Sequence, residues 1–216
     1  MQLPAIRLRR FAFVLTALLC TAAAQAEESD DVALITVVEG NVARAASLHG
    51  PKPVPAFVKL KSGDRLTLAA ARVQIVYFES GRQETWRGDG RLEIGTGASK
   101  ATGLPEPEAR TLPDIMVKQI AKTPTLDSQG RAGAVRLRGL PSPATVEKIL
   151  ATYRQLRDWA EANDLNPELF LLSALFEQRD VERIQQVLAD LPVKRPNDAQ
   201  VDQVVALYRK LIEASR

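Results

Sequence analysis

Cysteine is nearly missing from this sequence. Its 216 residues hold one, Cys20, and a single histidine, His49. A zinc site built from Cys and His needs several such ligands, so composition excludes it. Beyond residue 20 there is no cysteine at all. Even in an oxidising compartment that part forms no disulfide, and packing alone must hold it. Long apolar runs are missing too. The longest runs from Phe11 to about Ala24, short of the ~20 residues that a membrane-spanning helix needs. Phosphate loops are absent: Gly88-Asp89-Gly90 and Gly95-Thr96-Gly97 fit neither GxxxxGK[ST] nor GxGxxG.

Reactive constellations are equally scarce. A Ser-His-Asp triad would have to use His49, which sits in a loop flanked by glycine and proline, and no serine stands in a nucleophile-elbow context. His49 reads as an exposed loop residue. Glu79 and Glu84 have the residue type of a glycosidase pair, but both read as surface charges near a hairpin tip. Arg87-Gly88-Asp89 spells an adhesion tripeptide and reads as coincidence. The expectation is a protein that is not an enzyme, with no catalytic residue, cofactor or metal.

What is present begins with a leader. Arg7, Arg9 and Arg10 form a basic start, the apolar run follows, and Ala24-Gln25-Ala26 is a small-x-small site. The expectation is export, with cleavage after Ala26 and a periplasmic product. The alternatives are an uncleaved N-terminal anchor, or a lipoprotein on Cys20, which Leu19 disfavours by standing where a small residue belongs. The whole chain is +3 with a pI near 9.1. Removing the three leader arginines from 29 basic residues leaves 26, against 26 acidic ones. The basicity belongs to the leader, so a nucleic-acid partner is not expected.

From Val32 to Gly95, short apolar runs alternate with turn residues. They are Ala33 to Val38, Val42 to Ala45, Phe57 to Leu60, Arg65 to Leu68, Val73 to Phe78 and Arg91 to Ile94. Gly40-Asn41, Ser62-Gly63-Asp64, Ser80-Gly81 and Gly88-Asp89-Gly90 stand between them. Such spacing predicts a small all-β sandwich or flattened barrel. The central hairpin is read around Ser80-Gly81 as a two-residue loop. That register sets Glu79 opposite Arg82, Tyr77 opposite Glu84 and Ile75 opposite Trp86.

Val38-Glu39-Gly40-Asn41-Val42, Leu60-Lys61-Ser62-Gly63-Asp64-Arg65-Leu66, Val73-Gln74-Ile75-Val76-Tyr77-Phe78 and Leu92-Glu93-Ile94 occur in an order that resembles the FecR-like domain of the ferric-citrate-regulator family. Glu79-Ser80-Gly81 stands where that family usually has Asp-Gly-Ser. The resemblance covers residues 32–97. It implies a β-rich extracytoplasmic module used in protein contacts and signal relay.

Residues 98–140 are rich in Gly, Pro and small side chains and read as a linker. Within them Asp114 to Lys122 predicts a short helix, capped by Asp114, with Ile115, Met116, Val117 and Ile120 partly buried. Arg131, Arg136 and Arg138 mark a basic loop read as a solvated connector, and Val135 with Leu137 suits a short added strand.

From residue 141 to 216 the hydrophobic period becomes helical. Ser142-Pro143 starts one helix, with Val146, Ile149, Leu150, Tyr153, Leu156, Trp159 and Ala160 on one face. Asn166-Pro167 starts a second. Val181 to Leu191 is a third, with Val181, Ile184, Val187 and Leu188 inward, and residues 192–196 are a loop. Asn197 or Asp198 caps a fourth. Short loops predict antiparallel hairpins in a helical bundle. The stretch from Leu169 to Pro192, with Ala174 in its first helix, looks like a tetratricopeptide-type unit.

The expected fold class is therefore α+β with several domains: residues 1–26 a signal peptide, 32–97 a FecR-like β domain, 98–140 a linker and 141–216 a helical domain. The function expected is protein–protein interaction with another envelope protein, in envelope signalling or assembly. Tyr153 and Trp159 are the candidate binding residues, as a peptide groove, although both also suit a core. The alternative is a binder of cell-wall glycan using Tyr77 and Trp86 as stacking faces. A third reading is an enzyme using only carboxylates and arginines, Glu79, Glu84 and Arg131.

Overall fold

The computed structural model describes residues 30–45, 50–125 and 143–214. Ala26, His49, Arg131, Arg136, Arg138, Val135 and Leu137 lie outside the described residues. The chain is α+β, strands first and helices after. The strands are β1 (Asp31–Arg44), β2 (Lys52–Pro53), β3 (Lys59–Lys61), β4 (Arg65–Tyr77), β5 (Arg82–Ile94), β6 (Ser99–Thr102) and β7 (Glu108–Thr111). The helices are α1 (Asp114–Ile120), α2 (Pro143–Trp159), α3 (Asn166–Glu177), α4 (Val181–Lys194) and α5 (Ala199–Ala214).

All seven described strands join one sheet, in the order β2-β1-β4-β5-β6, with β3 also on β1 and β7 also on β5. Every described pairing is antiparallel. The sequence breaks β1 at Gly40-Asn41, β4 between Leu68 and Arg72, and β5 at Gly88-Gly90. None of these breaks is a turn. β1, β4 and β5 run through, and two of the breaks are shifts of register, between Glu39 and Asn41 and between Leu68 and Ala71. Gly40, Ala70 and Gly88 all take positive φ, at 78°, 46° and 115°. Bulges and turns recruit the same residue types, because both need a backbone that side chains disfavour. The irregular positions are neighbours across the sheet, Glu39 pairing Arg72 and Ala71 pairing Gly88. Asp89 Oδ1 accepts the Ala70 N–H at 2.8 Å. Three strands thus bend along one line.

The bend folds the sheet over. Tyr77, at the end of β4, hydrogen-bonds Ser99 at the start of β6, and Ser80 Oγ donates to the Gly97 carbonyl at 2.7 Å. Between the two halves lies a core that includes Ile35, Leu60, Leu66, Val73, Ile75, Tyr77, Trp86, Leu92 and Ile94.

The central hairpin differs from its expected register. Ile75 faces Glu84 and Val73 faces Trp86, so the loop holds four residues, 78–81. The Gly81 N–H closes it on the Tyr77 carbonyl at 3.1 Å. A shift of two residues keeps each side chain on its expected face, which is why the inward set survives. In the stretch read as linker, β6 and β7 extend the sheet along β5. In α1 the cap is Pro113, whose carbonyl takes the Met116 and Val117 N–H groups. Met116, Val117 and Ile120 are buried as expected, but Ile115 is exposed.

α3 is buried from Asn166 to Phe176, on every side. It touches α1, α2 and α4. A second core joins Leu34 and Val76, from the outside of the sheet, to Met116 and Ile120 of α1, Leu169, Leu172 and Leu175 of α3, and Tyr208 and Leu211 of α5. The β and helical regions therefore share a core across the intervening stretch. α4 continues through Pro192, where the sequence reads a loop.

Candidate functional site

The outer face of the sheet has an apolar half and a polar half. Leu34 and Val76 belong to the core shared with the helices. On the same face stand Arg72 and Gln74 of β4, Gln83, Thr85 and Arg87 of β5, and Glu108 and Arg110 of β7. The register makes them a lattice: Arg72 faces Arg87, Gln74 faces Thr85, Thr85 faces Glu108 and Gln83 faces Arg110. Period-two alternation places all seven on one side. Glu161, Asn163, Asp164 and Leu165, between α2 and α3, form the opposite wall with Gln200 of α5. The cleft between them has a volume of about 320 Å³.

Each of its arginines is matched with a carboxylate. Arg72 and Arg87 face each other, a repulsive arrangement across strands. Each has its own carboxylate: Glu39 for Arg72, at 2.9 Å, and Glu108 for Arg87. Arg110 pairs with Asp164, and its guanidinium lies over the Trp159 ring at 5.8 Å from the centroid. Gln83 and Asn166, both buried, hydrogen-bond across the junction of sheet and helices. The orientation of Gln83 that satisfies its neighbours turns its oxygen to Gln74 Nε2 at 2.9 Å and Arg110 Nε at 3.1 Å.

Tyr153 and Trp159 do not form one groove. Six residues at 100° each put them on different sides of α2. Tyr153 is half-buried and its hydroxyl donates to Glu168 Oε1 at 3.0 Å. Burial first, and then the Glu168 charge, hold its phenol well above the usual range. Trp159 is 49% exposed. A polar chain runs between the two instead. Arg157 pairs with Glu168 at 2.9 Å and donates to the Asp164 carbonyl at 2.6 Å, and the Asp164 carboxylate holds Arg110.

Glu79 is exposed as expected, but Glu84 is 1% exposed. It accepts from Trp86 Nε1 at 3.0 Å, the Ser99 N–H at 3.1 Å and Arg82 Nε at 2.8 Å. Its side chain points into the folded sheet, where strand alternation puts it, and the core closed by that fold covers it. Tyr77 and Trp86 are buried and offer no stacking face. Among the described residues no three of His, Cys, Asp and Glu cluster as metal ligands.

A second concavity lies on the helical end. Pro143, Val146 and Leu150 of α2 and Val181 of α4 make an apolar floor, and Glu147, Arg179, Asp180, Glu182 and Arg183 make a charged rim, around about 700 Å³. Val181, expected inward, is 37% exposed. It is the first residue of α4, directly after the capping Asp180, so the packed face begins only at Ile184. The i, i+4 pair Val146 and Leu150 was visible in the helical stripe, but its pairing with Val181 was not.

No family model, curated protein or solved structure matches this chain. Among the described residues no helix is long and apolar enough to cross a membrane.

Proposed function

We propose that this is an exported, non-enzymatic envelope protein that works by binding another envelope protein. On this reading the β region is FecR-like, the helical end is a bundle of tetratricopeptide-like hairpins, and the leader is cleaved after Ala26 to leave a periplasmic product. The observation that carries the proposal is the groove of Pro143, Val146, Leu150 and Val181. An apolar floor inside a charged rim is the anatomy of a protein interface, and its two sides come from helices that short loops hold in place.

A photo-activated cross-linker at Val181, used in intact cells of the native host, tests it. The expected result is one reproducible protein adduct, lost on adding V146D with α2 still folded by circular dichroism. Adducts to wall material alone, or none at Val181, overturn it.

A further inference from the structure

We propose that the cleft between the polar half of the sheet and the α2–α3 turn binds a neutral oligosaccharide. The cleft is separate from the groove on the helical end, and the inference stands without it.

The lining decides the class of ligand. The lining carries three arginines, Arg72, Arg87 and Arg110, and three carboxylates, Glu108, Glu161 and Asp164, with Glu39 beside Arg72 at its edge. A polyanion finds no excess of positive charge there, and a polycation finds one extra carboxylate at the edge. Among the described residues, apolar lining is confined to Ala109 and Leu165. An amphipathic helix, or a peptide that relies on side-chain pockets, has nothing to fill. What remains is a dense set of planar hydrogen-bonding groups: Gln74 and Gln83, held by cross-strand register, Asn163 and Gln200 on the opposite wall, and the ion pairs. A sugar hydroxyl donates and accepts at once, so one hydroxyl can bridge the carboxylate and the guanidinium of a pair such as Arg87–Glu108 without adding charge.

The neighbouring aromatic fits the same ligand. Trp159 is half-exposed, and Arg110 lies over its ring while also reaching Gln83 and Asp164 in the cleft. One side chain therefore couples the rim to the floor. A large apolar ring beside a polar cleft matches a pyranose, which carries C–H groups on its faces and hydroxyls around its edge. The floor belongs to three paired strands, and a preformed site loses little entropy on binding.

The test uses the purified protein, with Trp159 fluorescence and calorimetry as readouts. The probes are an N-acetylglucosamine tetramer and maltotetraose, with inorganic pyrophosphate and a neutral extended peptide as competitors of other classes. We expect saturable binding of at least one tetrasaccharide. R87A and N163A, both at exposed positions, weaken it by about tenfold or more, the equivalent of one good contact each. V181E, in the separate groove, leaves it unchanged. No binding of either sugar at millimolar concentration overturns the proposal. So does equal affinity in R87A and N163A, or tighter binding of pyrophosphate or peptide at the cleft.

Discussion

Trp86 and Glu84 lie two residues apart on one face of β5, and the indole Nε1 donates to the Glu84 carboxylate at 3.0 Å inside the folded sheet. The same carboxylate oxygen takes the Ser99 N–H at 3.1 Å. One acid thus ties β5 to the start of β6, the strand that follows it.

E84A should be among the most damaging single changes. It leaves the buried Trp86 indole and the partly buried Ser99 amide without an acceptor, a loss of about 2–4 kcal/mol. Arg82 is partly exposed and adds little to that figure. E84Q keeps one acceptor and should cost less. Urea unfolding measures both, and E84A within 0.5 kcal/mol of wild type, about the error of the method, would remove the structural role.

Gly40 is the tightest point of the bent strands. A Cβ there would sit 2.3 Å from the Ala70 carbonyl oxygen, which is backbone and has nowhere to go. G40A should cost about 3 kcal/mol from that clash together with the positive φ. Gly63 also has positive φ but faces open space, so G63A should cost only about 1 kcal/mol. Equal losses in the two variants would mean that the strands can spread at the bend.

The chain has three tyrosines, Tyr77, Tyr153 and Tyr208, and all three phenols are pushed upward, burial being the largest cause for each. A free phenol ionises near pH 10. The folded state keeps its phenolic protons above that pH while the unfolded state gives them up. Stability is therefore whole below about pH 10 and falls as pH rises beyond it. Lys59, pushed down by burial and partly restored by Asp31, acts with the opposite sign and is one group against three. Absorbance at 295 nm should show no tyrosinate step near pH 10 until the circular dichroism collapses. A normal step with an intact spectrum would contradict the packing of all three rings.

Gln83 and Asn166 join the sheet to α3. With the shared core of Leu34, Val76 and α3, they should make the strand and helix signals unfold together. A double-mutant cycle of Q83A and N166A should return about 1 kcal/mol of coupling. Two separated transitions, one for each kind of structure, would show that the regions fold independently.

Most of the elements, and the faces that they bury, are legible in the sequence. Alternation put Val73, Ile75 and Tyr77 on one side, and a register error of two residues left that side unchanged. Helical spacing located α3 and α5, and Asn166-Pro167 marked the start of α3 to the residue. Tertiary structure decided what local pattern leaves open. Gly40 and Gly88 are turn residues by composition, and only pairing with β4 makes them bends in continuous strands. Ser99–Thr102 and Glu108–Thr111 carry no strand pattern, because they take their hydrogen bonds from the two ends of β5 and bury almost nothing themselves. Glu84 is a surface charge until the sheet folds over, buries it and brings the Ser99 N–H to it. The polar cleft exists only because register lines up seven side chains from β4, β5 and β7, and because the α2–α3 turn, far along the chain, closes over them. Local sequence sets period and face. Register, bending and the closing of distant surfaces depend on partners that a linear reading does not bring together.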